Sequence, residues 1–245
     1  MNSFSHSFDL IAFILRLNTI SLSVMVILLL MSVLTWYLIM TKALQLSFIW
    51  WRSRQLLKLF WYSPSLISVM NYLSQKKTHD PFSNLALQGI NAAIFYEKRL
   101  EKQLENLGTQ SEFLTRNMRR AIAEGTAHLE SDLSLLATIA STAPFIGLLG
   151  TVLGIYDALI TISAKGTASL DTVAAPVGEA LIMTALGLAV AIPAVLGYNA
   201  LVAGNRILLS KLDGFAHDLH TCLNTGARID MKNQVYIKQQ SHKNY

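Results

Sequence analysis

No charged side chain stands between Arg16 and Lys42, and that gap limits what the chain can become more than any motif does. A helix needs about 20 largely apolar residues to cross about 30 Å of hydrocarbon, and the stretch from about Asn18 to Met40 supplies them. Two further runs follow, from about Leu133 to Ile162 and from about Ala174 to Ala203. The second carries Asp157 near its far end, and the third carries one charge, Glu179. A soluble protein can bury one such helix, but hardly three that lack charged faces. The expected fold class is an all-α membrane protein with three transmembrane helices.

Composition fits that reading. The chain is 52% hydrophobic and only 14% charged, against about 25% charged in a soluble domain. The leader before the first run carries Asp9 and Arg16 rather than a basic cluster, and no A-x-A-like site follows the run. The run is therefore expected to be a retained anchor rather than a cleaved signal peptide. The single cysteine, Cys222, rules out an internal disulfide framework.

The net charge of +5 lies beside the apolar runs. Residues 41–132 hold twelve Lys and Arg and residues 204–245 hold six, eighteen of the twenty. Basic loops stay on the cytoplasmic side. The predicted arrangement is an outer segment 1–17, spans 18–40, 133–162 and 174–203, and an outer loop 163–173. On the cytoplasmic side it has a helical region 41–132 and a helix and tail 204–245. Just past the first run, Trp50, Trp51, Trp61 and Tyr62 are interleaved with Arg52, Arg54 and Lys58. That composition suits a helix at the headgroups in contact with lipid, or equally a packed cytoplasmic helix. Further on, Glu97, Lys98, Arg99, Glu101, Lys102 and Glu105 surround an apolar stripe of Ile94, Leu100, Leu104 and Leu107, a solvated helix with one packing face. Asp80-Pro81 and Gly108-Thr109 are its punctuation.

The second span holds a column of small residues: Ala140, Ala143, Gly147, Gly150, Gly154 and Ala158. Steps of three and four put them on one face, where lipid offers no hydrophobic drive and small residues let backbones approach. Pro144 removes one backbone donor there. The third span, with Gly178, Ala185, Gly187, Ala189, Pro193 and Gly197, is small nearly all round. Three spans of one chain cannot supply that many neighbours, so a homo-oligomer is expected.

Glu179 is the sharpest single residue. A carboxylate in a span is costly unless it faces protein, water or a partner, or is protonated. The plainer alternative is a residue at the outer headgroup boundary, since Pro176 stands only three residues earlier. Thr151 and Thr184 are the other deep polar groups, and hairpin symmetry predicts similar depth for both, below Glu179. Each could instead simply bond the i−4 carbonyl of its own helix. Glu179 and Thr184 are five residues apart, about 140° around an ideal helix, so they cannot both point down one narrow pore.

Other chemistry finds little support. His217-Asp218-Leu219-His220 with Cys222 resembles a metal cluster, but the cysteine lies off the histidine face, and no metal is expected. No P-loop, zinc-protease or serine-nucleophile pattern is present, so neither enzyme nor cofactor is implied. The basic patches flank apolar runs, which argues against nucleic acid. A solute transporter would call for paired broken helices, and a pure scaffold would tolerate leucine at Glu179.

Residues 138–162, T-I-A-S-T-A-P-F-I-G-L-L-G-T-V-L-G-I-Y-D-A-L-I-T-I, and 173–199, V-A-A-P-V-G-E-A-L-I-M-T-A-L-G-L-A-V-A-I-P-A-V-L-G-Y-N, resemble the signature of the ExbB/TolQ/MotA proton-channel family. S-V-L-T-W-Y-L-I-M-T-K at 32–42 is similar to that family's first span, and the middle segment matches loosely. Leu153 stands where the family often has tryptophan and Ala175 where it has glycine, both of which concern packing.

The resemblance implies a ring of copies, typically a pentamer, in the bacterial inner membrane around the single-span helices of an ExbD-like dimer. A TonB-like protein would carry force to outer-membrane receptors for iron chelates, haem or vitamin B12. It also implies that Glu179 is the family's functional glutamate and that Thr151 and Thr184 line the pore. Pro144, Gly147, Gly150 and Gly154 would then be the packing motif of the second span. P-V-G-E-A-L-I-M-T and F-A-H-D-L at 215–219 favour the branch that works with TonB over the TolQ branch, which serves envelope constriction.

Overall fold

The computed structural model describes residues 19–62, 69–71, 73, 80–100, 109–165 and 170–225. The leader 1–17, Glu101, Lys102, Glu105, Gly108, the loop centre 166–169, the tail from 226 and the side chains of Trp61 and Tyr62 lie outside the described residues. Five helices make up almost all of the rest: α1 Thr19–Tyr62, α2 Pro81–Leu100, α3 Gln110–Glu130, α4 Leu133–Lys165 and α5 Leu170–Thr225. No strand occurs among the described residues. Three of these helices are long and apolar enough to cross a membrane.

The outer helices extend well past their apolar runs. α1 continues without a break for 44 residues and α5 for 56, because neither meets a stop signal where the apolar character ends. Pro144 lies inside α4, and Pro176 and Pro193 lie inside α5.

The chain forms two compact units. Among the described residues, one comprises 19–43 and 132–202, three helical segments around a core of Val24, Leu28 and Leu38 from α1. Leu133, Leu136, Ile139 and Ala143 come from α4, and Val190, Ala191, Ala194 and Leu201 from α5. Most of the apolar surface stays outside this core. Only 22% of the most apolar window of α1 is buried, and only 33% of that of α5. Leu30, Phe145 and Leu196 are each more than 60% exposed, which suits lipid or further copies and would be costly in water.

The other unit comprises 44–131 and 203–225 of the described residues, and its core is built from large side chains. Phe215 meets Phe60 edge-on at 5.3 Å and Phe82 at 6.0 Å, among Leu85, Met118, Leu208, Leu212 and Leu219. α2 and α3 run antiparallel, as the contacts of Gly125 with Pro81, Gly89 with Met118 and Phe95 with Phe113 require. Their starts are well capped. Asp80 accepts from the Phe82 amide at 3.1 Å and from the Ser83 hydroxyl at 2.7 Å, with Pro81 in the first turn. Thr109 and Glu112 form a reciprocal capping box at the start of α3.

Candidate functional site

The crossing of α4 and α5 is set by glycine. A Cβ added to Gly147 would stand 2.8 Å from the Met183 carbonyl oxygen and 3.0 Å from the Gly187 Cα. One added to Gly187 would stand 2.8 Å from the Ala143 carbonyl oxygen. Here the two backbones touch, which only residues without side chains permit. Three positions along, a Cβ on Gly150 would lie 2.9 Å from the Met183 Cβ and 3.0 Å from Val24 Cγ1, so α1 joins at that level. A Cβ on Gly154 would meet the Ala180 Cβ at 3.1 Å. Gly178 differs: a side chain there would meet nothing within 4 Å. Pro144 and Pro193 are half-buried within their helices.

These contacts define an antiparallel register, with Gly147 opposite Gly187, Gly150 opposite Met183 and Gly154 opposite Ala180. At about 1.5 Å of rise per residue, Thr151 and Thr184 then lie within roughly one residue of the same depth. Glu179 lies about four residues beyond the level of Thr151 and about five beyond Thr184, or roughly 6–7.5 Å nearer the end of the hairpin. Thr151 is 7% exposed and its hydroxyl donates to the Leu148 carbonyl at 2.6 Å. The hydroxyl proton is thus engaged by its own helix, through the i−3 carbonyl, while its oxygen can still accept. Thr184 and Glu179 are half-buried. The hairpin therefore carries one carboxyl and two hydroxyls in two neighbouring layers of a tightly apposed helix pair.

The aromatic and basic residues past the first span sit on the continuation of α1. Trp50 is half-buried beneath the Lys211 ammonium, 3.9 Å from its ring centre, and Arg54 approaches the same ring at 5.8 Å. Arg52 lies 4.3 Å over Phe48. Trp51, Arg54 and Lys58 remain exposed. One face of this segment thus packs inward through Ile49, Ser53, Leu56 and Phe60, and the other presents an aromatic and two cations.

A model of the MotA/TolQ/ExbB proton channel family matches residues 69–213, more than half of the chain. The chain belongs to the MotA/TolQ/ExbB proton channel family. Among its relatives, a biopolymer transport protein ExbB of Xanthomonas campestris pv. campestris is 41% identical over 213 residues, 86% of this chain and 84% of that one. An ExbB of Neisseria meningitidis is 38% identical over 208 residues, 84% of this chain and 93% of that one. A Tol-Pal system protein TolQ of Pseudomonas aeruginosa is 42% identical over 112 residues, 46% of this chain and 48% of that one. In a family of proton channels, a carboxyl and two hydroxyls within membrane-spanning helices are the groups to weigh first.

Sequence reasoning missed two features of this membrane protein. Thr35, on the buried face of α1, is 0% exposed and its hydroxyl has no hydrogen-bond partner. Lys42 pairs with Asp132 at 3.2 Å. The signal for the second was present, as a cation ending one apolar run and an acid preceding the next. Their pairing needed the three-dimensional arrangement.

Proposed function

We propose that this chain is the ExbB-type subunit of a TonB-dependent motor, using the proton-motive force to energise uptake of iron chelates, haem or vitamin B12 across the outer membrane. The observation that carries the reading is Glu179, a half-buried carboxyl on α5 beside the Gly154–Ala180 crossing. Protonation switches such a group between charged and neutral forms, and each form tolerates a different position in the membrane. Thr151 and Thr184, one layer below, supply oxygens that can pass or accept a hydrogen bond as the carboxyl changes state.

The distribution of Lys and Arg supports an outside N-terminus and a cytoplasmic C-terminus in the inner membrane. The exposed apolar faces of α4 and α5 support a ring of copies, a pentamer by resemblance, around the single-span helices of an ExbD-like dimer. A TonB-like protein would carry the force onward. Trp51, Arg54 and Lys58 would meet lipid headgroups. One charge crossing about 100 mV supplies ~2.3 kcal/mol, so a stroke drawing on several protons is reasonable.

One observation favours the ExbB branch. The ExbB relatives of X. campestris and N. meningitidis match 84–86% of the chain, against 46% for the TolQ relative of P. aeruginosa. The TolQ-type reading, a motor for envelope constriction, rests on that relative's 42% identity in the matched region. Co-purification in mild detergent separates the two, since an ExbD-like or a TolR-like single-span protein should accompany the chain. For the mechanism, Glu179→Ala is expected to abolish TonB-dependent uptake while the oligomer still assembles. Full uptake by that variant, in a strain without a paralogue, would remove Glu179 from the path.

A further inference from the structure

The path from α3 to α4 leaves helical geometry for two residues, Ser131 and Asp132. A helix end leaves carbonyls without intrahelical donors, and here substitutes occupy two of them. The Ser131 amide still makes the regular helical bond to the Ala127 carbonyl at 3.0 Å, whereas the Ser131 hydroxyl donates to the His128 carbonyl at 2.8 Å. The Asn205 side-chain amide, buried on α5, donates to the Leu129 carbonyl at 3.1 Å. In a continuous helix, the His128 and Leu129 carbonyls would serve the amides of Asp132 and Leu133. The break is therefore furnished with partners rather than left as a defect.

Asp132 makes the step with φ at 67°, the one non-glycine residue in the left-handed region among the described residues. Glycine adopts that region freely, and aspartate only at a cost. The right-handed alternative would give the amides of residues 132–135 the carbonyls of 128–131 and merge α3 and α4 locally. Something must oppose that gain. The Asp132 carboxylate, its side chain 57% exposed, lies 3.2 Å from the Lys42 ammonium, whose side chain is only 11% exposed at the end of the apolar run of α1.

We propose that the Lys42–Asp132 ion pair holds this joint broken and so sets the rotation of α4 against α1. Each residue added to a helix turns it by about 100°, so a merged joint would redirect the face that carries Thr151. Lys42 and Asp132 are positioning residues; neither touches the carboxyl and hydroxyls of the hairpin. The link to transport rests on the function proposed above, whereas the state of the joint does not.

The experiment is amide hydrogen exchange at residues 132–135 in the assembled protein, alongside uptake measured in cells. Lys42→Met and Asp132→Ala are expected to slow exchange at these amides about tenfold or more, and to lose most uptake. Asp132→Gly lacks the carboxylate but keeps the left-handed step without cost. It is expected to retain fast exchange and most uptake, and to rescue Lys42→Met. Unchanged exchange in Lys42→Met would overturn the proposal, and so would Asp132→Gly slowing exchange as much as Asp132→Ala does. Should Lys42→Met fail to assemble, the Asp132 pair of variants decides alone. Uptake that survives deletion of this chain would count against the proposed function, with the exchange result still deciding the joint.

Discussion

The crossing of α4 and α5 and the aromatic core around Phe215 solve the same problem in opposite ways. At the crossing, Gly147 and Gly187 bring backbone against backbone, with no room for a methyl group. Around Phe215, three phenylalanines and several leucines fill the space between helices. The solvent explains the difference. Water drives large apolar side chains together at roughly 25 cal/mol per Å² of buried surface. Lipid tails give no such reward, so helices there gain most by close approach and dense packing. The outward faces agree: Leu30, Phe145 and Leu196 stand exposed around the glycine crossing, where a protein in water would place polar groups.

If that contrast is right, deleting bulk should hurt one region and adding bulk the other. The largest expected effect is Phe215→Ala, which removes a ring packed between Phe60 and Phe82. It should cost about 3–5 kcal/mol, the range for a buried phenylalanine truncated to alanine. Denaturant titration in detergent, followed by tryptophan fluorescence, would read it. A loss below about 1 kcal/mol would mean that this core collapses around the gap.

The next effect is smaller and has the opposite chemistry. Gly187→Ala adds one methyl group and is expected to cost about 1–3 kcal/mol, the range for overpacking, because its Cβ would meet the Ala143 carbonyl oxygen at 2.8 Å. Gly178→Ala, in the same helix, should be neutral or slightly stabilising, since nothing lies within 4 Å of that position and alanine is the better helix former. Resistance of the folded protein to SDS would compare them. Equal behaviour of the two variants would break the claim that one glycine is a contact and the other is not.

Those two glycines also mark how far the sequence could be read. The three spans were legible because length and the absence of charge are properties of a segment by itself. A glycine's role is a property of two segments, and nothing near Gly178 or Gly187 says which one faces α4. Capping sat between these cases. Gly108-Thr109 reads as punctuation, and the Thr109-x-x-Glu112 pattern could have been read as the capping box it forms. The extent of α1 was harder, because the change from apolar to charged residues near Lys42 is a change of solvent and not of backbone. The helix runs on to Tyr62, two residues before Pro64. The joint at Asp132 was illegible for a deeper reason. No glycine or proline marks it, and its ion-pair partner, Lys42, is ninety positions away. For the hairpin, polarity in an apolar run singled out Glu179, Thr151 and Thr184, and the glycine contacts then supplied the depth at which each lies.

The smallest effect concerns polar groups inside each region. In the aromatic unit the buried Asp80, Ser83 and Asn205 all have partners. In the other unit, the Thr35 hydroxyl is fully buried and unpaired. Desolvating a hydroxyl without a hydrogen bond costs about 1–3 kcal/mol, and replacing it by a methyl group of similar shape recovers part of that. Thr35→Val is therefore expected to stabilise the protein by about 1 kcal/mol. The same substitution at Thr151 should instead be neutral or mildly destabilising, since it removes the bond to the Leu148 carbonyl. Thermal unfolding of both variants in one detergent would compare them directly. No gain at Thr35 would mean that its hydroxyl rotates onto the Met31 carbonyl one turn back, as threonine in membrane helices can do. The two regions would then treat buried polar groups alike, and their contrast would narrow to the size of the side chains between helices.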